Sequence, residues 1–335
     1  MSGQDVPYYL RPNKHVERQI FLDILSHINR WTNLKEYLYA SMGGKHLEDL
    51  KAVYSALGVK NLLSIECNHV TYERQMFNRP FSFLDCLKTT TGEFIAQLDK
   101  ILEEKKANNC IVWLDYASAK NRQGQLQEVE TIASKLAKND ILKITLNASR
   151  KTLGADKEDN ESEDDFQRRL LEKAKAKLGA YFPGHIPDHS RMTDSGFAEI
   201  VSHASKAAIL KGLAGSPNLS FLPLGQFRYN DGYHWMYTMT GIFLDREKEE
   251  EFRERSGIED SDFISTDWQL ITEIALPDLS LRERMEIDLN IHLRPDEIHA
   301  KLPFGFDSNP ERSVDTLKRY IKHYKRYPNF VRAVF

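Results

Sequence analysis

The chain has 335 residues, 41% of them hydrophobic and 28% charged, with a formal net charge of −3. These proportions fit an ordinary globular protein with enough chain for one large domain and appendages. They exclude a globally basic nucleic-acid binder, and Cys67, Cys86 and Cys110, with no CxxC pair, exclude a disulfide framework or a structural zinc site.

The N-terminal "MSGQDVPYYLRPNK" has no apolar core of a signal peptide, and no apolar run nears the roughly 18 residues needed to span a bilayer, so a cytoplasmic protein is expected. "KHVERQIFLDILSHINRW" (14–31) carries apolar residues at helical spacing and predicts an amphipathic helix after Pro12, within an N-terminal helical segment, 1–35. Strand-like and helix-like runs then alternate. "EYLYASMG" (36–43), "NLLSIEC" (61–67), "FSFLDCL" (81–87), "NCIVWLDYAS" (109–118) and "DILKITLNAS" (140–149) predict strands. Helices are expected over 47–58, 70–78, 91–107 and 126–139. This order predicts right-handed crossovers and a parallel sheet covered on both faces.

A helical insertion near 150–215 follows, with the acidic run "DKEDNESEDD" read as a solvated loop and helix start. "NLSFLPLGQFRYNDGYHWMYTMTGIFL" (218–244) holds two strand-like runs around Asp-Gly, a hairpin signal. Residues 245–335 read as a mainly helical appendage ending in "LKRYIKHYKRYPNFVRAVF". There, basic and aromatic residues interleave, but packing of Leu317, Tyr320, Ile321 and Tyr324 on the core is favoured over nucleic-acid contact.

Three local patterns point to chemistry. In "YASMGGKHLEDL" the first strand runs into Gly43 and Gly44 and then a helix, a turn where backbone can lie close to a ligand. Glu66 closes the second strand 22 positions after Gly44, the spacing of a carboxylate that accepts both ribose hydroxyls of a nucleoside. Asp115 and Tyr116 end the fourth strand, where open α/β sheets place their ligands. His185 and His189 read as ordinary loop histidines; GxSxG and P-loop motifs are absent.

With these elements the stretch 36–244 resembles the class I S-adenosylmethionine-dependent methyltransferases, α/β Rossmann-like folds whose mainly parallel sheet ends in a late antiparallel strand pair. The resemblance extends, through "LRPNKHVERQIF", to proteins described as O-methyltransferases, some acting in bacterial defence against phage. It implies S-adenosylmethionine as cofactor, cradled by Ser41, Met42, Gly43 and Gly44, with Glu66 on its ribose and Asp85 near its adenine. Asp115 and Tyr116 would be catalytic, facing the transferred methyl group. The usual acid and alternating glycines of the first motif are replaced here by Ala40, Ser41, Met42 and adjacent glycines. Asp115 with Asn147 resembles part of the metal site of catechol-type enzymes, but one carboxylate is a poor hard-cation site, and no metal is assigned. No Asn-Pro-Pro-Tyr element follows the fourth strand, so an oxygen acceptor is expected rather than a base amine. The alternative is a non-catalytic Rossmann-like nucleotide-binding or partner-binding module. The acceptor and any protein partner stay open; no membrane is expected.

Overall fold

The computed structural model describes residues 11–154, 156–184, 192–232 and 234–328, so His185 and His189 lie outside the described residues. An N-terminal helix α1 (Pro12–Trp31) leads into β1 (Leu38–Ser41), α2 (Glu48–Leu57), β2 (Leu62–Glu66), α3 (His69–Asn78) and β3 (Leu84–Lys88). Next come α4 (Thr91–Ala96), α5 (Leu98–Lys105), β4 (Cys110–Tyr116), α6 (Arg122–Ala133) and β5 (Ile141–Asn147). The insertion supplies α7 (Glu163–Leu178) and α8 (Asp194–Gly212), and the hairpin is β6 (Leu219–Asn230) with β7 (Trp235–Asp245). The appendage contains α9 (Glu249–Ser256), β8 (Thr272–Ile274), α10 (Leu281–Leu289), α11 (Pro295–Lys301) and α12 (Pro310–His323). Among the described residues no helix is long and apolar enough to cross a membrane.

The eight strands form one sheet in the order β3-β2-β1-β4-β5-β7-β6-β8. The first five run parallel, and β7 enters antiparallel between β5 and β6, as the alternation and the hairpin signal predict. The appendage also contributes one short strand, β8, which pairs parallel with Phe227–Tyr229 of β6. Three residues carry too little pattern to announce a strand, and pairing to an existing edge creates it. Along β6 the register also shifts between Pro223 and Gly225.

Two apolar layers sandwich the sheet. Leu38, Ala40, Val112 and Leu114 face α4, α6 and α8, whereas Tyr39, Ile111, Trp113 and Ile141 face α1 and α2. The α1 layer is not purely apolar. Lys143, at the centre of β5, is fully buried and donates to Glu17 of α1, itself 1% exposed. Its ammonium also lies 4.7 Å from the Trp113 ring centroid and 4.5 Å from that of Phe21. Burial pulls the Lys143 ammonium below its ordinary range, and Glu17 opposes that shift. The C-terminal helix packs as expected, with Leu317 and Tyr320 buried beside Ile287 and Ile298. His323 is 2% exposed at the end of α12, its ring 5.4 Å from that of Phe263.

Removing one partner of a buried ion pair leaves the other charge uncompensated. Glu17→Ala is therefore expected to cost about 3–5 kcal/mol in urea unfolding, while Glu17→Leu combined with Lys143→Met returns to near wild type. A second expectation concerns acid. Burial, reinforced by Lys322 and Arg326, lowers His323 to about 4, against roughly 6.5 in an unfolded chain. The unfolded state then binds more protons, so this contribution is intact above pH ~6.5 and is lost as pH falls towards ~4. Unfolding midpoints followed across that range should drop less for His323→Phe than for wild type.

Candidate active site at the carboxyl ends of the strands

Register fixes the geometry of the cleft. Ser41, the last residue of β1, stands beside Ser64 of β2 and Trp113 of β4. Side chains alternate along a strand, so Glu66 and Asp115 emerge on the same face as Ser41, each two residues further along. They flank the end of β1 from opposite sides, about 10 Å apart across two strand spacings. Between them the chain turns through Met42, Gly43 and Gly44.

That turn is held from several directions. The Gly43 amide donates to Ser64 Oγ at 3.3 Å, and Gln75 and Asn78 of α3 donate to the carbonyls of Gly44 and Lys45 at 2.9 and 2.8 Å. A Cβ on Gly43 would lie 2.5 Å from Leu50 Cδ1 and 2.8 Å from Ser64 Oγ, so glycine is required by packing within the chain. Gly44 has φ +53°, in the left-handed region. Ser41 is buried and donates to Asp49 in the first turn of α2, as does Tyr39 at 3.0 Å. Asp49 keeps its other oxygen, Oδ1, buried with no hydrogen-bond partner among the described residues.

Glu66 accepts the Asn68 amide at 2.7 Å, and Asn68 caps α3 by accepting from Thr71. Burial raises the Glu66 carboxyl, while the amides of Asn68 and Cys67 pull it down. Asp115 receives Lys14 Nζ at 3.3 Å from the first turn of α1. Burial alone would push its carboxyl up, but Lys14, Arg18 and Arg11 outweigh burial and hold it below the usual carboxylate range. Arg18 also lies 5.2 Å from the Trp113 ring centroid. The same end of α1 reaches the hairpin, where Arg11 pairs with Asp231 at 2.7 Å. Asp115 Oδ1, Asp231 Oδ1, Glu17 Oε2 and the Tyr229 hydroxyl are buried and lack hydrogen-bond partners among the described residues. From the sequence, "LRPNK" with Arg18 could close over the cleft but is sufficiently explained by packing; the partners of these residues lie about a hundred positions or more away. A signal was nonetheless present: Lys14 and Glu17 sit on the apolar face of the helix, and Lys143 interrupts an apolar strand.

Two expected residues fall elsewhere. Tyr116 follows Asp115 on a strand, so its side chain points to the opposite face, where its hydroxyl donates to Glu128 of α6 at 2.6 Å. Asp85 is the second residue of β3, in register with Leu63 rather than Glu66, and binds Lys105 at the amino end of the sheet. "FSFLDCL" reads as a strand from Phe81, but pairing starts at Leu84, so Asp85 lies about 10 Å short of the cleft. Asn147 does reach the carboxyl end, yet its carbonyl accepts from Arg122 at 3.1 Å and its side chain from the Ser149 amide at 3.1 Å. The cleft therefore unites Ser41, Met42, Gly43, Gly44, Glu66 and Asp115.

No curated protein matches this chain by sequence. Among solved structures it is similar to the plantazolicin methyltransferase BpumL in complex with a pentazolic desmethylPZN analog and SAH, at 9% identity and TM-score 0.34 over 68% of this chain and 85% of that one. It is also similar to coclaurine N-methyltransferase bound to N-methylheliamine and SAH, at 8% identity and TM-score 0.28 over 68% of this chain and 72% of that one. The sequence profile of a family described as "Putative O-methyltransferase" matches residues 6–335, so essentially the whole chain, N-terminal helix and appendage included, belongs to that methyltransferase family.

Proposed function

We propose that this protein transfers a methyl group from S-adenosylmethionine to an oxygen acceptor, with the cofactor spanning Glu66, the Gly43–Gly44 turn and Asp115. The observation that carries the reading is the pair of carboxylates on one sheet face, on either side of the β1 turn. In this reading Glu66 accepts the ribose hydroxyls, supported by its strand-end position and by an Oε1 that takes the Asn68 amide. On the opposite side Asp115 Oδ1 and Asp49 Oδ1 have no donor among the described residues, and S-adenosylmethionine brings an ammonium and a sulfonium.

The bound cofactor supplies an activated methyl group, so the protein's task is alignment and exclusion of water. The Gly43–Gly44 turn, tied down by Ser64, Gln75 and Asn78, fixes one wall of the cleft. Asp115, held ionised by Lys14, Arg18 and Arg11, acts as an electrostatic anchor and is poorly suited to taking a proton. The oxygen acceptor rests on the family description and on the missing Asn-Pro-Pro-Tyr element.

Calorimetry tests this reading. Wild type is expected to bind S-adenosylmethionine and its demethylated product, and Glu66→Ala to weaken both tenfold or more, since a charge-assisted pair of hydrogen bonds contributes roughly 1.5–3 kcal/mol. Asp85→Ala, altered at the other end of the sheet, should bind within about twofold of wild type. No detectable binding by wild type would overturn the proposal; binding without methyl transfer to any acceptor pool would support a nucleotide-sensing module instead.

A further inference from the structure

The opposite end of the sheet bears an arrangement that the methyl-transfer site does not use. Two adjoining concavities, about 750 and 610 Å³, open at the amino ends of the strands. Each is the size of an ordinary small-molecule pocket, and Lys35 and Lys60 line both. The larger one also contains Lys105, Lys106 and Phe83, and the smaller one Tyr54. Asn109, just before β4, borders the larger chamber, roughly 20 Å along the strand from Asp115.

Charge there is out of balance. Four lysines face Glu36 and Asp85; Asp85 pairs with Lys105, and Glu36 accepts from Asn33. Among the described residues no carboxylate pairs with Lys35, Lys60 or Lys106. Cations complement the carbonyl ends of helices, which accounts for Lys105 and Lys106 at the close of α5. The carbonyl end of α2, closed by Gly58, gathers Lys35 and Lys60 in the same way: Lys35 Cε would lie 3.4 Å from a Cβ on Gly58. Within the basic helix α12 and the turn after it, Lys318 pairs with Asp315 at 3.0 Å and Arg326 with Asp23 at 2.5 Å.

Beside the unpaired lysines sit three half-buried rings. Phe81 and Phe83 stack at 5.0 Å with planes 5° apart, and Tyr54 lies 4.6 Å from Phe81 and 5.0 Å from Phe83. We propose that this groove of Lys35, Lys60, Lys105 and Lys106, with Tyr54 and Phe83, binds single-stranded nucleic acid. Lysines act as point charges for phosphates along a backbone, and the half-buried Tyr54 and Phe83 in the groove wall offer ring contact to bases. The lining of both chambers includes no arginine, so phosphates there would be met by lysine point charges rather than by bidentate forks. Two chambers joined by shared lysines fit successive nucleotides of a strand rather than a single nucleotide.

Anisotropy of labelled oligouridylate and oligothymidylate of roughly twelve nucleotides, titrated between 50 and 200 mM salt, tests the site. Wild type should bind at least one of them. Lys35→Glu with Lys60→Glu should weaken binding tenfold or more and reduce the salt slope by about 1.4, that is, by roughly 0.7 per lost phosphate contact. Lys318→Glu with Lys322→Glu on α12 should bind as wild type does, and the groove variant should keep wild-type affinity for S-adenosylmethionine, which separates this site from the cofactor cleft. Failure of both strands to bind, or undiminished binding by the groove variant, would overturn the proposal. So would uridine monophosphate or polyaspartate binding as tightly as the strands.

Discussion

A single ammonium group buried in the middle of the sheet governs how the molecule closes. Lys143 stands where β5 would otherwise carry an apolar side chain, and no water reaches it. A charge in that position needs an anion and a polarisable surround, which Glu17, Trp113 and Phe21 supply. Because Glu17 belongs to α1, neutralising Lys143 fixes both the lengthwise position and the rotation of that helix on the sheet. One turn earlier, Lys14 is then delivered to Asp115, and Arg11 to Asp231. The electrostatics of the cleft are thus a downstream result of a pairing within the core.

Much of this architecture is legible in the sequence, and the exceptions have particular causes. The alternation from Leu38 to Asn147 and the Asp-Gly turn declare the parallel sheet and its hairpin through periodicity alone, which is a local signal. Glu66 is found by counting, because a strand end and a spacing of 22 residues define its place. Asp85 is misplaced by three residues, because Phe81 and Phe83 look like strand residues but build an aromatic cluster with Tyr54. Tyr116 is a reminder that a neighbour in sequence is opposite in space on a strand. The partners of the α1 charges cannot be named by any local rule, since 101 positions separate Lys14 from Asp115.

The glycine turn also changes meaning once its neighbours are known. Gly43 is required by Leu50 and Ser64, so its presence is explained without any ligand. What singles out the turn is its position between two outward-facing carboxylates and its anchoring by Gln75, the one fully buried residue of α3. In this chain, which lacks the usual acid at the turn, Asp115 and Asp49 come from other elements and converge on the same face.

The outer border of the sheet carries a different lesson. A long strand at an edge offers unpaired amides and carbonyls to any other strand that meets it. Here β6 is twelve residues long, yet Pro223 offers no amide and the shift at Gly225 breaks its regularity. The Ser265 amide takes the Leu224 carbonyl, and β8 occupies Phe227–Tyr229. The appendage that follows the hairpin is therefore a guard against self-association: it closes a surface on which copies of the protein could otherwise stack into a continuous sheet.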